Sequence, residues 1–95
     1  MDRTDILQKL SDRIDEENAK PNKQESHNDL IWHIILGEEF GEVSRGIVDS
    51  YFSKDVIMNP RVIKAYQLHL IKELEDVSLV CIAWMEQLYR EIENE

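Results

Sequence analysis

Residues 60–93, PRVIKAYQLHLIKELEDVSLVCIAWMEQLYREIE, decide the fold that the sequence predicts. Asn59 followed by Pro60 is a typical helix start, with Asn as the N-cap and Pro at the first helical position. Apolar residues then recur at helical spacing, at Ile63, Tyr66, Leu70, Leu74, Val77, Cys81, Trp84 and Leu88. The stretch therefore predicts one long helix, from residue 60 towards 93, with a continuous apolar face.

A second long helix is predicted upstream, from about residue 27 to 52. Ser26 is its expected N-cap, with Asp29 at the capping-box position. Its apolar face also has helical spacing and is formed by Trp32, Ile35, Leu36, Val43 and Ile47. Residues 53–59 are expected to connect this helix to the longer one.

The N-terminal part predicts a shorter helix over residues 4 to about 18. Thr4 is its expected N-cap, and Asp5 suits the first turn because an acid is favourable at a helix N-terminus. Only four residues form its apolar face: Ile6, Leu7, Leu10 and Ile14. This pattern is typical of a surface helix, and residues 19–26, with Pro21 and Asn22, predict a linker after it.

We therefore expect an all-α fold, because no alternating strand pattern and no internal repeat occur. The chain predicts a small bundle of three main helices, with helices 2 and 3 antiparallel. Residues 1–95 form one domain, in which 1–26 are the N-terminal helix and linker and 27–95 are the core helices. Because 95 residues bury a limited core, we expect oligomerisation to complete the bundle.

Each of the two long helices carries a pair of acids three residues apart, Glu39 with Glu42 and Glu73 with Asp76. At about 100° per residue, Glu39 and Glu73 lie among the apolar residues of their helices. Glu42 and Asp76 lie at the margins of the same faces. Antiparallel packing would bring the four carboxylates together, although buried acids are costly unless they are paired or bind metal.

A divalent cation would neutralise such a cluster. Carboxylate ligands suit hard Mg²⁺ or Mn²⁺, and bound Mg²⁺ commonly contacts substrate phosphates. For Glu39 and Glu73, the main alternative to a metal site is an interhelical ion pair with Arg45 or Lys72. Taken singly, Glu38, Glu42 and Glu75 are each more typical of a solvated helix face.

Composition narrows the function classes. The net charge of −9, with 20 acids against 11 bases, argues against a nucleic-acid binder and against binding to anionic membranes. A single cysteine, Cys81, excludes an intrachain disulfide and fits a reducing compartment. With no signal peptide and no apolar run of spanning length, we expect a soluble cytoplasmic protein.

Other residue types point less clearly to chemistry. His69 and Glu73 are four residues apart and can share a metal, but the Glu-x-x-His pattern of di-iron bundles is absent. Cys81 is expected to be a core thiol, and Trp32 and Trp84 are expected in the core. His27 and His33 are expected to be exposed.

At its acid pairs the chain resembles the MazG-like all-α nucleoside triphosphate pyrophosphohydrolases. That family is marked by Glu-x-x-Glu on one helix and Glu-x-x-Asp on the next. Here the motifs read Glu39-Phe-Gly-Glu42 and Glu73-Leu-Glu-Asp76, and Glu38 completes the family's Glu-Glu-x-x-Glu form. The apolar run VSLVCIAWMEQL after the second motif is also similar, and the resemblance covers roughly residues 27–90.

The resemblance implies a Mg²⁺-dependent hydrolase that cleaves a nucleoside triphosphate between its α- and β-phosphates, releasing monophosphate and pyrophosphate. It implies that Glu39, Glu42, Glu73 and Asp76 are metal ligands. It gives Glu38 a catalytic role, either as a further ligand or in orienting the attacking water. It also implies a homodimer or homotetramer, and contacts of basic residues with the phosphates, for which the candidates are Lys54, Arg61, Lys64 and Lys72.

Two other classes of function stay open. One is a non-catalytic helical module of the same fold that binds a nucleotide or a protein partner. The other is an acidic helical oligomer with a structural role. Mg²⁺ should raise the melting temperature if the four acids form a metal site and should leave it unchanged if they do not.

Overall fold

The computed structural model describes residues 1–20, 26–51 and 59–94. They form three α-helices, α1 (Arg3–Asn18), α2 (Asp29–Tyr51) and α3 (Pro60–Glu93), and no strand occurs in these ranges. The predicted all-α fold and its three main helices are confirmed. Most of the predicted linker and most of the predicted connection, residues 21–25 and 52–58, lie outside the described residues.

The start of α3 is capped as the sequence predicts. The Asn59 side chain accepts a hydrogen bond from the backbone N–H of Arg61, at 3.0 Å. Pro60 occupies the first turn, where its missing N–H costs nothing because that position has no intrahelical partner. The helix then continues for 34 residues, to Glu93.

The starts of α1 and α2 differ from the prediction. Asp2, not Thr4, is the N-cap of α1, because Asp2 and Asp5 form a reciprocal capping box that satisfies two backbone N–H groups. At α2, the Asn28 side chain accepts from the backbone N–H of Ile31 at 2.9 Å, so Asn28 takes the role predicted for Ser26. Both corrections concern one or two residues and leave the helical registers unchanged.

α2 and α3 pack antiparallel through their predicted faces. Contacts pair the start of α2 with the end of α3, where Trp32 and Trp84 stack with ring centroids 6.4 Å apart. The middle of α2 lies against the middle of α3, where the two acid pairs are. Trp32 and Val43 are the buried apolar residues of the described chain, so the core within one protomer is thin.

α1 lies across α3 and is held mainly by charge. Lys9 and Arg13 form ion pairs with Glu75 and Asp76 of α3 at 2.8–2.9 Å. The apolar side of α1 contributes little burial, since Ile6 and Leu7 are exposed. This confirms the surface position expected for the N-terminal helix. Within the described residues, none of the three helices is long and apolar enough to cross a membrane.

Candidate metal centre

The antiparallel packing of α2 and α3 brings together the four acids that the sequence selects. Glu39 and Glu42 on α2 and Glu73 and Asp76 on α3 each offer one carboxylate oxygen, and these four oxygens lie within 4.8 Å of one another. We call these four residues the carboxylate cluster. Their three-residue spacing places each pair on one side of its helix, so each helix contributes two converging side chains.

Glu73 is the most deeply buried member of the cluster. It is 7% exposed, and its Oε2 atom has no hydrogen-bond partner in the described part of the chain. Its Oε1 atom lies 3.5 Å from Nε2 of His69, one turn earlier on α3. A buried carboxylate oxygen without a partner is costly, so this atom identifies a place where a ligand would be stabilising.

The pKa of both α2 members of the cluster is raised. For Glu39 the largest cause is desolvation of its half-buried side chain, followed by the negative charges of Asp76 and Glu73. For Glu42 it is a hydrogen bond shared with Glu73, which requires a proton on one carboxyl, followed by the charge of Glu39. Both carboxyls therefore hold protons more tightly than they would in isolation, as expected for acids that lack a counter-charge.

Asp76 differs from the other three because it already has cationic partners. Its Oδ1 atom accepts from Arg13 of α1 at 2.9 Å, and its Oδ2 atom accepts from Lys72 at 3.2 Å. Burial alone would raise the pKa of Asp76, but these two hydrogen bonds outweigh it and lower the pKa. In the described residues, no Lys or Arg forms an ion pair with Glu39, Glu42 or Glu73.

Arg13 is the residue at this site that sequence reasoning missed. Arg13 forms an interhelical ion pair with Asp76, whereas the alternative pairing of Glu39 or Glu73 with Arg45 or Lys72 does not occur in the described residues. The Lys72 pair with Asp76 lies within α3. The only sequence signal was that Arg13 precedes Ile14 of the apolar α1 face, which indicates the margin of a packed surface. That signal gives no partner.

Glu75 is also placed differently from the prediction. Its side chain is not on a solvated face but is largely buried, 12% exposed, between Lys9 and Arg13. Burial would raise its pKa, but hydrogen bonds from Lys9 and Arg13 outweigh this effect and lower it. Glu75 therefore attaches α1 to α3 next to the carboxylate cluster without belonging to it.

Glu38 lies on the exposed side of α2, outside the cluster. Its negative charge makes a small contribution to the raised pKa of Glu39. Among the basic candidates for phosphate contacts, Arg61 and Lys64 are exposed near the start of α3, and Lys54 lies outside the described residues. Of the three candidates within the described residues, Lys72 is the one that contacts a cluster member.

A cavity of about 550 Å³ opens beside the cluster, between the three helices. Its lining residues are partly apolar and partly polar. The apolar residues are Trp32, Ile35, Leu79, Val80 and Ala83. The polar residues are Arg13, Glu17, Asn18, His27, Glu39 and Asp76. Two cluster members thus line the cavity, whose volume lies within the range of small-molecule sites, about 300–1,000 Å³.

Gln87 holds two residues that line this cavity, Trp32 and His27, and no pattern in the sequence selects it. Its buried Oε1 atom accepts from the Trp32 indole Nε1–H at 2.9 Å and from the backbone N–H of His27 at 3.0 Å. Trp32 is buried as expected, whereas Trp84 is half-buried and donates to Asp29. Cys81 is half-buried, and His27 packs edge-on against Trp32 rather than being fully exposed.

Comparison with protein-family models, curated proteins and solved structures found no match to this chain. The chemistry of the site must therefore be read from its own residues. The cluster presents only carboxylate oxygens, apart from His69 at its edge. Such a donor set suits a hard divalent cation, Mg²⁺ or Mn²⁺, better than a soft metal that prefers sulfur.

Proposed function

We propose that this protein is a cytoplasmic, Mg²⁺-dependent nucleoside triphosphate pyrophosphohydrolase that cleaves between the α- and β-phosphates. The observation that carries the proposal is the carboxylate cluster, in which four oxygens lie within 4.8 Å of one another and Oε2 of Glu73 is buried with no hydrogen-bond partner among the described residues. The motifs that hold these acids resemble those of the MazG-like hydrolases, which supports the same reaction.

The uncompensated negative charge of the carboxylate cluster suits a divalent cation. Three of the four acids have no Lys or Arg partner in the described residues. Burial, followed by the charges of Asp76 and Glu73, raises the pKa of Glu39, and a hydrogen bond with Glu73, followed by the charge of Glu39, raises that of Glu42. Glu39, Glu42, Glu73 and Asp76 would hold Mg²⁺, with Mn²⁺ as a substitute. When bound, the cation would draw electron density from phosphate oxygens and offset their charge.

The cavity beside the cluster supports a nucleotide as substrate. Phosphates would lie at the cluster end, near Glu39 and Asp76, and the nucleoside would lie along the apolar lining residues, which include Trp32 and Leu79. These residues offer an aromatic surface and aliphatic contacts to a flat base, whereas His27 and Asn18 offer polar contacts. A binding site of mixed polarity next to a phosphate centre is what a nucleotide requires.

Water would attack the α-phosphorus, and the bond from that phosphorus to the bridging oxygen would break to release pyrophosphate. Glu38 is the candidate for orienting the water, because it is exposed and adjoins Glu39 in the chain. Glu39 and Glu42 would hold the cation from the α2 side, and the cation would offset the charge of the phosphates. The raised pKa values of these two acids make them sensitive to protonation as the pH falls towards the ordinary range of a carboxyl group.

The proposal is tested by incubating the purified protein with canonical and modified nucleoside triphosphates, with and without Mg²⁺. Products are resolved by chromatography and ³¹P NMR. We expect monophosphate and pyrophosphate in equal amounts, only when Mg²⁺ is present. Glu39→Gln and Glu73→Gln should each reduce turnover by at least about 100-fold, since ligands that act together cannot be removed singly.

The matched control is Glu86→Gln, the same chemical change at an exposed α3 position outside the cluster. This variant should retain wild-type turnover. Full activity in both Glu39→Gln and Glu73→Gln would overturn the assigned roles. Release of inorganic phosphate instead of pyrophosphate would assign the protein to a different class of hydrolase.

A non-catalytic module that binds a nucleotide or a protein partner is the second candidate function. The observation that favours it is the double engagement of Asp76 by Arg13 and Lys72, which leaves fewer free cations to offset transition-state charge. This candidate predicts saturable nucleotide binding without products, at any Mg²⁺ concentration. The product assay therefore separates the two functions directly.

Self-association is part of the proposal because one protomer leaves too much apolar surface exposed. The outward face of α2, opposite Trp32 and Val43, carries Leu30, Ile34 and Val48, which are 47–65% exposed. A helix that is apolar on both faces is normally buried on both. Gly37 and Gly41 lie on the same outward face, where an added Cβ would meet nothing within 4 Å, so a second helix could approach closely.

The amount of exposed surface points to a second copy of this chain as the occupant. The protomer exposes 7768 Å², whereas a compact monomer of 11.2 kDa is expected to expose about 5,700 Å². The excess is larger than the about 800 Å² that each partner buries in a standard interface. A homodimer or homotetramer formed through the outward face of α2 would bury part of this excess.

A further inference from the structure

Arg13 connects α1 to the carboxylate cluster through two separate contacts. One guanidinium nitrogen donates to Oε2 of Glu75 at 2.8 Å, and the other donates to Oδ1 of Asp76 at 2.9 Å. Arg13 also lines the 550 Å³ cavity together with Glu39 and Asp76. The guanidinium therefore faces both a proposed metal ligand and the space proposed for the nucleotide.

Both oxygens of Asp76 are already engaged in the described structure. Arg13 bonds to Oδ1, and Lys72 bonds to Oδ2. A cation that takes either oxygen of Asp76 shares that oxygen with a positively charged donor. A ligand that is already held by an internal cation binds metal more weakly than the same ligand left free, because the two positive charges repel each other.

We propose that Arg13 exchanges Asp76 for a phosphate group when the metal and nucleotide bind. The inference rests on the proposed function and adds a residue that neither the sequence motifs nor their resemblance selects. In the metal-free protein Arg13 neutralises Asp76. In the loaded site the guanidinium releases Asp76 to the cation and donates to a phosphate oxygen of the nucleotide.

Three observations select Arg13 over Lys72 for this exchange. Arg13 lines the cavity and Lys72 does not. The Arg13 side chain is 28% exposed, whereas that of Lys72 is 64% exposed and extends towards solvent. Arg13 also keeps a second anchor on Glu75, so its guanidinium can turn from Asp76 towards a phosphate without α1 detaching. Its planar array of donors matches a phosphate.

The test compares two equilibrium constants in Arg13→Gln: the affinity for Mn²⁺ alone, and the affinity for inorganic pyrophosphate in saturating Mg²⁺. Both are measured by isothermal titration calorimetry. Mn²⁺ affinity should rise by about threefold or more, because the competitor for Asp76 is gone. Pyrophosphate affinity should fall by about tenfold or more, because a charge-assisted hydrogen bond is lost.

Opposite changes in the two affinities are a signature that a merely structural role cannot produce, since a distorted site would weaken both. Lys9→Gln is the matched control, because it removes one positive charge from the same helix and one contact with Glu75 but none with Asp76. It should leave both affinities within about twofold of the wild type. Arg13→Lys keeps the positive charge but loses the planar array of guanidinium donors. Its affinities for Mn²⁺ and for pyrophosphate should lie between those of the wild type and of Arg13→Gln.

The experiment distinguishes a failure of the proposed metal centre from a failure of the proposed exchange by Arg13. If the wild type does not bind Mn²⁺, the metal centre is wrong, and the role of Arg13 fails with it. If the wild type binds Mn²⁺ but Arg13→Gln changes neither affinity, or lowers both while circular dichroism shows a folded protein, the metal centre stands and the exchange is overturned. If Arg13→Gln does not fold, Arg13→Lys decides by the same two affinities.

Discussion

Replacing Glu73 with Gln separates the electrostatic cost of the cluster from its metal-binding role. Glu73 is buried, and one of its carboxylate oxygens lies within 4.8 Å of one carboxylate oxygen from each of the other three acids. At that separation two unit charges repel by ~3.5 kcal/mol at an effective dielectric of 20 and by ~0.9 kcal/mol in bulk water. Because Glu39 is half-buried, its repulsion with Glu73 lies between these limits.

Glu73→Gln should therefore stabilise the metal-free protein. The neutral side chain removes the repulsion, and its amide can donate to a neighbouring carboxylate. We expect the free energy of unfolding to rise by ~1–3 kcal/mol, and each kcal/mol raises the melting temperature by about 4–8 °C in a domain of this size. The same change should abolish stabilisation by Mg²⁺, which in the wild type should reach ~2.7 kcal/mol at 100 times the dissociation constant.

The assay is thermal unfolding followed by circular dichroism, in EDTA and in Mg²⁺, at one protein concentration because self-association affects the melting temperature. Glu86→Gln is the control for a loss of negative charge outside the cluster. A metal-free Glu73→Gln protein that melts lower than the wild type, or one that retains the full Mg²⁺ effect, would refute the reasoning.

Three further predictions concern pH, the cavity wall and self-association. The pKa values of Glu39 and Glu42 are raised, so the metal-free protein should lose stability as the pH rises from the ordinary Glu value, about 4.3, through these raised values. Stabilisation by Mg²⁺ should therefore grow over the same pH range. An Mg²⁺ effect that does not depend on pH would contradict this prediction. Gln87→Leu leaves the buried Trp32 N–H without its acceptor and should cost ~1–3 kcal/mol in chemical denaturation; an unchanged denaturation midpoint would count against it. Val48→Glu, on the outward face of α2, should shift the sedimentation coefficient towards that of a single protomer. Leu68→Glu, which is also exposed but lies on α3, should not. An unchanged assembly in Val48→Glu would exclude the outward face of α2 as the interface.

The sequence was sufficient to predict the features that depend on local spacing. Helical periodicity placed Glu39 and Glu73 inside apolar faces, and antiparallel packing of those faces brings the four acids together. Asn59-Pro60 also predicts the start of α3, because both residues act within the first turn of the helix. These predictions needed only the register of each helix and the pairing of two apolar faces.

Features that depend on the position of α1 could not be predicted in this way. The contact between Arg13 and Asp76 joins residues 63 positions apart, and periodicity gives no information on how a weakly apolar helix crosses α3. The same limit explains why Glu75 was expected on a solvated face. Gln87 was missed because a single polar residue near the end of a long helix usually faces water, whereas here it is the acceptor for Trp32.

The central claim is that the carboxylate cluster holds a divalent cation, and the most direct measurement is a crystal structure of the protein grown with Mn²⁺. Data collected on the Mn²⁺ absorption edge locate the ion by its anomalous scattering. We predict a peak among the carboxylates of Glu39, Glu42, Glu73 and Asp76. Strong anomalous peaks elsewhere and none among these four side chains would contradict the account.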